Sequence, residues 1–280
     1  MVRWLLVGVC LLFVALFLLL PLLAVFTEAL RRGAGACLAS FHDSDAWSAI
    51  RLTLLTAAIA VPVNIAFGLC AAWAIGKFRF RGRALLTTLI DLPLAVSPVV
   101  AGLLLVLLFG LHGWLGPFLD NAGIRIVFAV PGIVLATLFV TLPYVAREVI
   151  PLMEEQGVEE EQAATVLGAG GWQTFRRVTL PNVKWAVLYG AILCNARAMG
   201  EFGAVSVVSG GIRGETNTLP LHVEVLYNEY NFVAAFTMSS LLALLALVTL
   251  LLKALVERKA QLELERAAVA TGSMEQEAPG

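Results

Sequence analysis

The chain has 280 residues, 60% of them hydrophobic and 14% charged, with a formal net charge of -1 and a mean hydropathy of +0.88. So apolar a composition calls for lipid as the solvent, and a near-neutral charge with no basic, aromatic-interleaved patch gives no sign of nucleic-acid binding. Four scattered cysteines (Cys10, Cys37, Cys70, Cys194) form no C-x-x-C pair, and His42, His112 and His222 stand alone in expected loops, so neither a disulfide framework nor a metal site is indicated.

In chain order, six segments hold the ~20 mostly apolar residues that a membrane-crossing helix needs: about Trp4–Phe26, Ile50–Ile75, Ala84–Gly110, Phe128–Val145, Trp185–Val208 and Val233–Val256. The first exceeds the ~7–15-residue core of a signal peptide and is expected to be retained. Backbone polar groups inside a bilayer must be satisfied within the protein, which predicts an all-α polytopic membrane protein. The spans organise the chain as residues 1–48 (first span and external loop), 49–256 (a five-span core) and 257–280 (a cytoplasmic tail). The tail opens as a charged helical extension, and its end, "TGSMEQEAPG", is expected to be disordered.

Lys and Arg in the connections set the orientation. With the N-terminus inside, Arg3, Lys77, Arg79, Arg81, Arg83, Arg147, Arg176, Arg177, Lys184, Lys253, Arg258, Lys259 and Arg266 fall on the cytoplasmic side. Only Arg31, Arg32, Arg125 and Arg213 fall outside, with Arg51 at a boundary. Both termini are therefore expected in the cytoplasm.

Between spans four and five, in the loop 151–184, lies an unusually polar stretch, "EEEQAATVLGAGGWQTFRRVTLPN" (Glu159–Asn182). Acids in its first turn suit a helix N-terminus. The cluster Gly168-Ala169-Gly170-Gly171 predicts a bend. A second short helix from Trp172 to Thr179 puts Trp172, Phe175 and Val178 on one apolar face, and Pro181 is expected to stop it. Such a ridge fits a groove on a partner protein or rests on lipid headgroups.

Two spans carry interruptions. In span three, Pro93 and Pro98 each remove a backbone donor, which predicts a helix broken beside a pathway or merely kinked for packing. In span five, Arg197 and Glu201 are four apart and are expected on one helix face, either lining a polar path or locking the span as a buried ion pair. Gly200 and Gly203 would let a neighbouring helix approach closely.

The polar stretch resembles the signature loop of binding-protein-dependent ABC importer permeases: E-A-A, three residues, Gly, nine residues, a branched apolar residue, any residue, Leu-Pro. Ala163, Ala164, Gly168, Val178, Leu180 and Pro181 fall on it; Gln162 stands where the family usually has Glu, with Glu159, Glu160 and Glu161 just ahead. The resemblance implies a type I ABC importer permease fold in which this loop is a coupling helix seated in a cleft of a cytoplasmic ATPase. The chain has no G-x-x-x-x-G-K-[ST] loop, so ATP and Mg are expected on that partner, with no cofactor and no enzymatic step on this chain.

"RAMGEFGA" (Arg197–Ala204), "LPLAVSPVVAG" (Leu92–Gly102) and "VSVVSGGIRGETNTLPL" (Val205–Leu221) resemble the sulfate and molybdate branch of that family, and in these details the W-type permeases of sulfate/thiosulfate importers. The implied assembly is a heterodimer with a similar T-type permease, an ATPase dimer and a periplasmic sulfate-binding protein, in a bacterial inner membrane. Arg197 would then lend a passing positive field to the oxyanion. Molybdate or tungstate import is the alternative within the family. An ion-driven carrier using Glu201 as proton relay, or an intramembrane enzyme, would be of another class; the latter has only Asp91, Arg197 and Glu201 as buried ionisable candidates, and no H-E-x-x-H motif occurs.

Overall fold

The computed structural model describes residues 2–31 and 33–277; Arg32 of the orientation count and tail residues 278–280 lie outside the described residues. All regular structure among the described residues is helical. Four helices are long and apolar enough to cross a membrane: Val2–Leu30, Ser44–Lys77, Val130–Glu155 and Phe232–Lys259. Two interrupted pairs, Arg83–Ala95 with Pro98–Phe109 and Gly171–Met199 with Gly203–Ser209, bring the number to six if each pair is one span. These match the six apolar segments read from the sequence.

Prolines interrupt less than expected. Pro62, Pro93 and Pro151 sit inside continuous helices, and the helix through Pro181 runs unbroken as Gly171–Met199. The expected stop at Pro181 is therefore corrected. A π-helical turn at Phe175–Thr179 ends two positions before Pro181, and another at Ala15–Leu19 ends two positions before Pro21. The wider turn makes room for a ring that carries no N–H, so the helix bulges where it would otherwise break. Pro98 does mark a break: Val96 is extended (ψ 133°) and Pro98 opens the next helix, a first-turn position where its missing N–H costs no helix bond. At the C-terminus the last helix continues from Phe232 to Glu277. Residues 271–277, expected to be disordered, are thus helical, in line with the good helix formers Ala, Glu, Leu and Arg that lead into them.

The chain is built as two compact units, each from discontinuous segments: residues 1–57, 98–137 and 199–246, and residues 58–97, 138–198 and 247–280. In the second unit, Asn64, Gly68, Ala72 and Gly76 form a stripe of small residues at four-residue spacing along one helix. A Cβ at Gly68 would come within 2.8 Å of Val145 Cβ, and one at Gly76 within 2.7 Å of Met153 Cβ. The helix Pro143–Glu155 lies directly on this stripe, and Val145, Ala146, Val149 and Met153 are buried against it. Asn64 pins the same contact, donating from Nδ2 to Thr141 Oγ1 at 2.8 Å and to Leu138 O at 3.3 Å.

In the first unit, Leu219 and Leu226 pack with Ala46, Ala235 and Met238. The two half-helices Pro98–Phe109 and Gly203–Ser209 press together at similarly close range. A Cβ on Gly102 would lie 2.7 Å from Ala204 O, and one on Gly203 would lie 2.9 Å from Pro98 Cβ. Only glycine permits backbones this close.

Candidate functional site

The polar stretch folds as a hairpin of two helices, Glu159–Val166 and the start of Gly171–Met199. Glu159, Glu160 and Glu161 occupy the first turn of the former. Its end is closed by backbone bonds into the two alanines of the motif: Leu167 N–H donates to Ala163 O at 3.1 Å and Ala169 N–H to Ala164 O at 3.0 Å. Gly168 makes that closure possible at φ +89°, a left-handed helix cap. A Cβ there would meet nothing within 4 Å, so the demand for glycine is conformational and not steric.

The hairpin is clamped to the end of the second span. Lys77 Nζ lies 2.8 Å from Glu161 Oε1 and also donates to Gly157 O; the Lys77 and Glu161 side chains are 5% and 17% exposed. Thr179 Oγ1 donates to the same Glu161 oxygen at 3.0 Å, tying the second helix to the first. Asn182 Nδ2 donates to Glu160 Oε2, and Gln156 Nε2 donates to Asn182 O at 3.3 Å. Arg83 pairs with Glu154. Burial alone would raise the Glu161 carboxyl, but the bonds from Lys77, its own backbone N–H and Thr179, with the Lys77 charge, hold it below the ordinary carboxylate range.

The apolar ridge keeps the three-residue spacing in its first step, Trp172 to Phe175. Phe175 packs on Trp73 with ring centroids 4.8 Å apart, and Val178 is half-buried. The outward apolar face consists of Val166, Leu167 and Trp172, exposed 87%, 87% and 71%. Trp172 and Phe175, three apart, do share a face and stack with ring centroids 5.6 Å apart; the π turn at Phe175–Thr179 changes the angle per residue only from Phe175 on, toward Val178. A groove of about 760 Å³ elsewhere in the molecule is lined by residues 106–128 and Ile212, whereas the groove at the hairpin, about 640 Å³, is lined by Trp73, Lys77, Phe78, Glu161, Gln162 and Thr174 among others. Gln162 thus belongs to the hairpin groove while its neighbour Glu161 holds the ion pair. Leu180 is half-buried and Pro181 exposed on the same continuous helix.

The interrupted spans divide the remaining candidates. Pro98 and Gly203 are brought together, as the close approach above requires. Glu201, 2% exposed, lies in the break after Met199, so it is not carried on the turn that bears Arg197; the expected common helix face is corrected. Its Oε1 accepts the Ala204 N–H at 2.8 Å, placing a carboxylate at the start of Gly203–Ser209, where the peptide dipoles favour it. Gly200 is exposed in the same break. Pro93 is buried within Arg83–Ala95, and Arg197 is half-buried near the end of Gly171–Met199. Asp91 forms an ion pair with Arg147 at 3.5 Å.

With this geometry in place, the family model for the binding-protein-dependent transport system inner membrane component matches residues 64–261. The chain belongs to that family of ABC importer permeases. Among the permease's relatives, "Sulfate transport system permease protein CysW" of a Synechocystis species is 53% identical over 258 residues, covering 92% of this chain and 94% of that one. The Escherichia coli K12 protein of the same name is 51% identical over 265 residues, covering 95% and 91%. Escherichia coli K12 "Sulfate transport system permease protein CysT" is 38% identical over 243 residues, covering 87% and 88%. In structure, the permease superposes on a chain of a bacterial alginate ABC transporter crystallised with a pentasaccharide-bound periplasmic protein, at a TM-score of 0.75 and 18% identity, covering 92% of this chain and 95% of that one. That likeness establishes the fold.

The clamp on the hairpin was missed from sequence. Lys77 counted only toward orientation, and Thr179 and Asn182 carried no signal of their own. The useful sign was the acid run one place ahead of the motif, with a lysine ending an apolar span.

Proposed function

We propose that this permease is the membrane subunit of an ATP-driven importer that passes sulfate or thiosulfate by alternating access. The observation that carries the reading is the 51–53% identity to proteins named as sulfate permeases over more than nine-tenths of the chain. The 38% likeness to CysT supports a related T-type permease as the heterodimer partner, and favours sulfate over the molybdate reading. An ATPase dimer would bind ATP and Mg, and a periplasmic sulfate-binding protein would deliver the anion. Both termini and the hairpin would face the cytoplasm, as the Lys and Arg distribution suggests.

The hairpin's part is mechanical. Val166, Leu167 and Trp172 offer an apolar face to an ATPase cleft, the helix-in-groove mode. Closure of the ATPase dimer moves the hairpin. Lys77, clamped to Glu161 and Gly157, passes that movement to the second span, and the continuous helix through Pro181 passes it along the fifth. A doubly charged, strongly hydrated anion cannot enter hydrocarbon, so the spans must open to one side at a time. Glu201 holds the half-helix Gly203–Ser209 in place, and Arg197 gives the anion a weak positive field without trapping it.

Labelled sulfate uptake in cells lacking this gene tests the reading. Uptake falls to background, returns with the gene, and is competed by thiosulfate but not by molybdate. Unchanged sulfate uptake after deletion overturns it. Uptake that persists when the ATPase is lost would point instead to an ion-driven carrier.

A further inference from the structure

A cluster apart from the hairpin and the paired half-helices is left unexplained by the roles given so far. In the unit of residues 1–57, 98–137 and 199–246, the ten-residue helix Leu219–Asn228 begins at Thr218, whose extended backbone (φ -79°, ψ 166°) carries no side-chain cap. Its Leu219 N–H donates instead to Thr53 Oγ1 at 2.8 Å. His222 lies one turn beyond Thr218 on the same face, its N–H bonded to Thr218 O at 2.8 Å, and Thr56 lies one turn beyond Thr53. The Thr53–Leu219 bond ties the start of this helix, next to Asn217 and Thr218, to the helix Ser44–Lys77 one turn from Thr56.

Thr56, Asn217, Thr218 and His222 are only 3%, 3%, 4% and 3% exposed. Yet the Thr56 and Thr218 hydroxyls, both polar atoms of the Asn217 amide and both ring nitrogens of His222 find no hydrogen-bonding partner among the described residues. Each such buried group costs ~1–3 kcal/mol unless something bonds it. Packing alone would be better served by valine and leucine. Hydroxyl and amide donors at a helix N-terminus suit an anion, because the peptide dipoles there point positive charge at it. The charged groups in reach of the cluster act on His222: Asp43, Asp45 and Glu229 on one hand and Arg213 on the other, with Arg213 itself paired to Glu229.

We propose that Thr56, Asn217 and Thr218, with His222 one helical turn on, form an uncharged hydrogen-bonding site for the tetrahedral oxyanion in transit. The inference rests on the reading of the chain as a sulfate permease and adds the residues that would hold the anion. Neutral donors replace the anion's water without the permanent charge that would retain it, as transport requires. On the orientation proposed above, chain order places the site toward the outer side, where the anion arrives.

The test uses the full importer in proteoliposomes, supplied with sulfate-loaded binding protein. Thr56→Val and Thr218→Val keep the side-chain shape and remove the hydroxyl; Asn217→Asp keeps the shape and adds a negative charge; Thr218→Ser keeps the hydroxyl. Since these hydroxyls bond nothing in the protein, the valine variants are expected to melt at the wild-type temperature or above it. Sulfate uptake should nevertheless fall about tenfold, the order of a lost hydrogen bond to a charged group. ATP consumed per sulfate moved should rise by a similar factor, and Thr218→Ser should stay within about twofold of wild type. Stable valine variants with wild-type uptake overturn the site, and so do valine variants that lose uptake only together with melting temperature and subunit assembly. Wild-type vesicles that move no sulfate overturn the functional reading instead, which separates the two failures.

Discussion

The hairpin and the pair of half-helices are held by opposite means. The hairpin stands on charge and hydrogen bonds: Lys77 on Glu161 and Gly157, Thr179 on Glu161, Asn182 on Glu160. The half-helices Pro98–Phe109 and Gly203–Ser209 stand on contact, with Gly102 backed against Ala204 O and Gly203 against Pro98. A charged clamp can loosen by degrees and answers to pH and salt. Close-packed backbone has no such latitude, since one added methyl group has nowhere to go. On the proposed function, the part that would meet a moving partner is the compliant one, and the part that would lie inside the bilayer is the stiff one.

The largest effect is expected at the backbone contact of the two half-helices. Gly102→Val would put atoms within 2.7–2.8 Å of Ala204 O and Val207 Cβ, a strain of roughly 1–3 kcal/mol or more. Sulfate uptake should be abolished while the ATPase still copurifies through the untouched hairpin. Wild-type uptake in that variant would show that the half-helices can separate freely, and the contrast between stiff and compliant regions would fail.

Next comes Gly168→Asp. Its side chain meets no neighbour, so the cost is the left-handed backbone alone, about 1–2 kcal/mol. The permease should still enter the membrane, but ATPase copurification and uptake should both fall. Normal values for both would remove the hairpin from the coupling role.

A smaller loss is expected from Lys77→Met, which leaves Glu161 half-enclosed without its cation. Uptake should drop severalfold and ATPase binding should become weaker at low salt, where the wild-type clamp is strongest. A variant indistinguishable from wild type would mean that the clamp carries no force.

The pH response is the mildest. Because the Glu161 carboxyl titrates below its ordinary value of about 4.3, its contribution is fully present above that value and is lost as pH falls through the lowered one. Protection from hydrogen exchange at residues 159–179, relative to the intrinsic rate at each pH, should therefore hold at neutral pH and fall only in acid, ahead of protection at residues 145–153. Equal loss of protection in both segments would deny the hairpin its separate, charge-based hold.

The spans, the hairpin and its turn were legible because each depends on neighbours in sequence. Apolar runs of membrane length gave the six spans, and Gly168 sits at the left-handed cap that its motif position implies. Pro181 misled because a proline signals only the loss of one donor. Whether the helix then stops or widens into a π turn depends on what surrounds it, and here the helix continues to Met199. Arg197 and Glu201 misled for a related reason: the four-residue spacing presumes a helix, and the helix ends between them. Lys77 and Glu161, 84 positions apart in number, could be joined by no periodicity.

By itself, then, the sequence determined the solvent, the number of crossings and the family, since hydropathy and a spaced motif are properties of the chain read in order. Only the tertiary structure decided which polar groups meet. It set Lys77 on Glu161, Glu201 on the start of its half-helix, and Thr53 on the start of the helix that carries His222. The physical reason is that hydrogen bonds and close glycine contacts act over about 3 Å in space, and distance along the chain says nothing about that separation until the helices have packed.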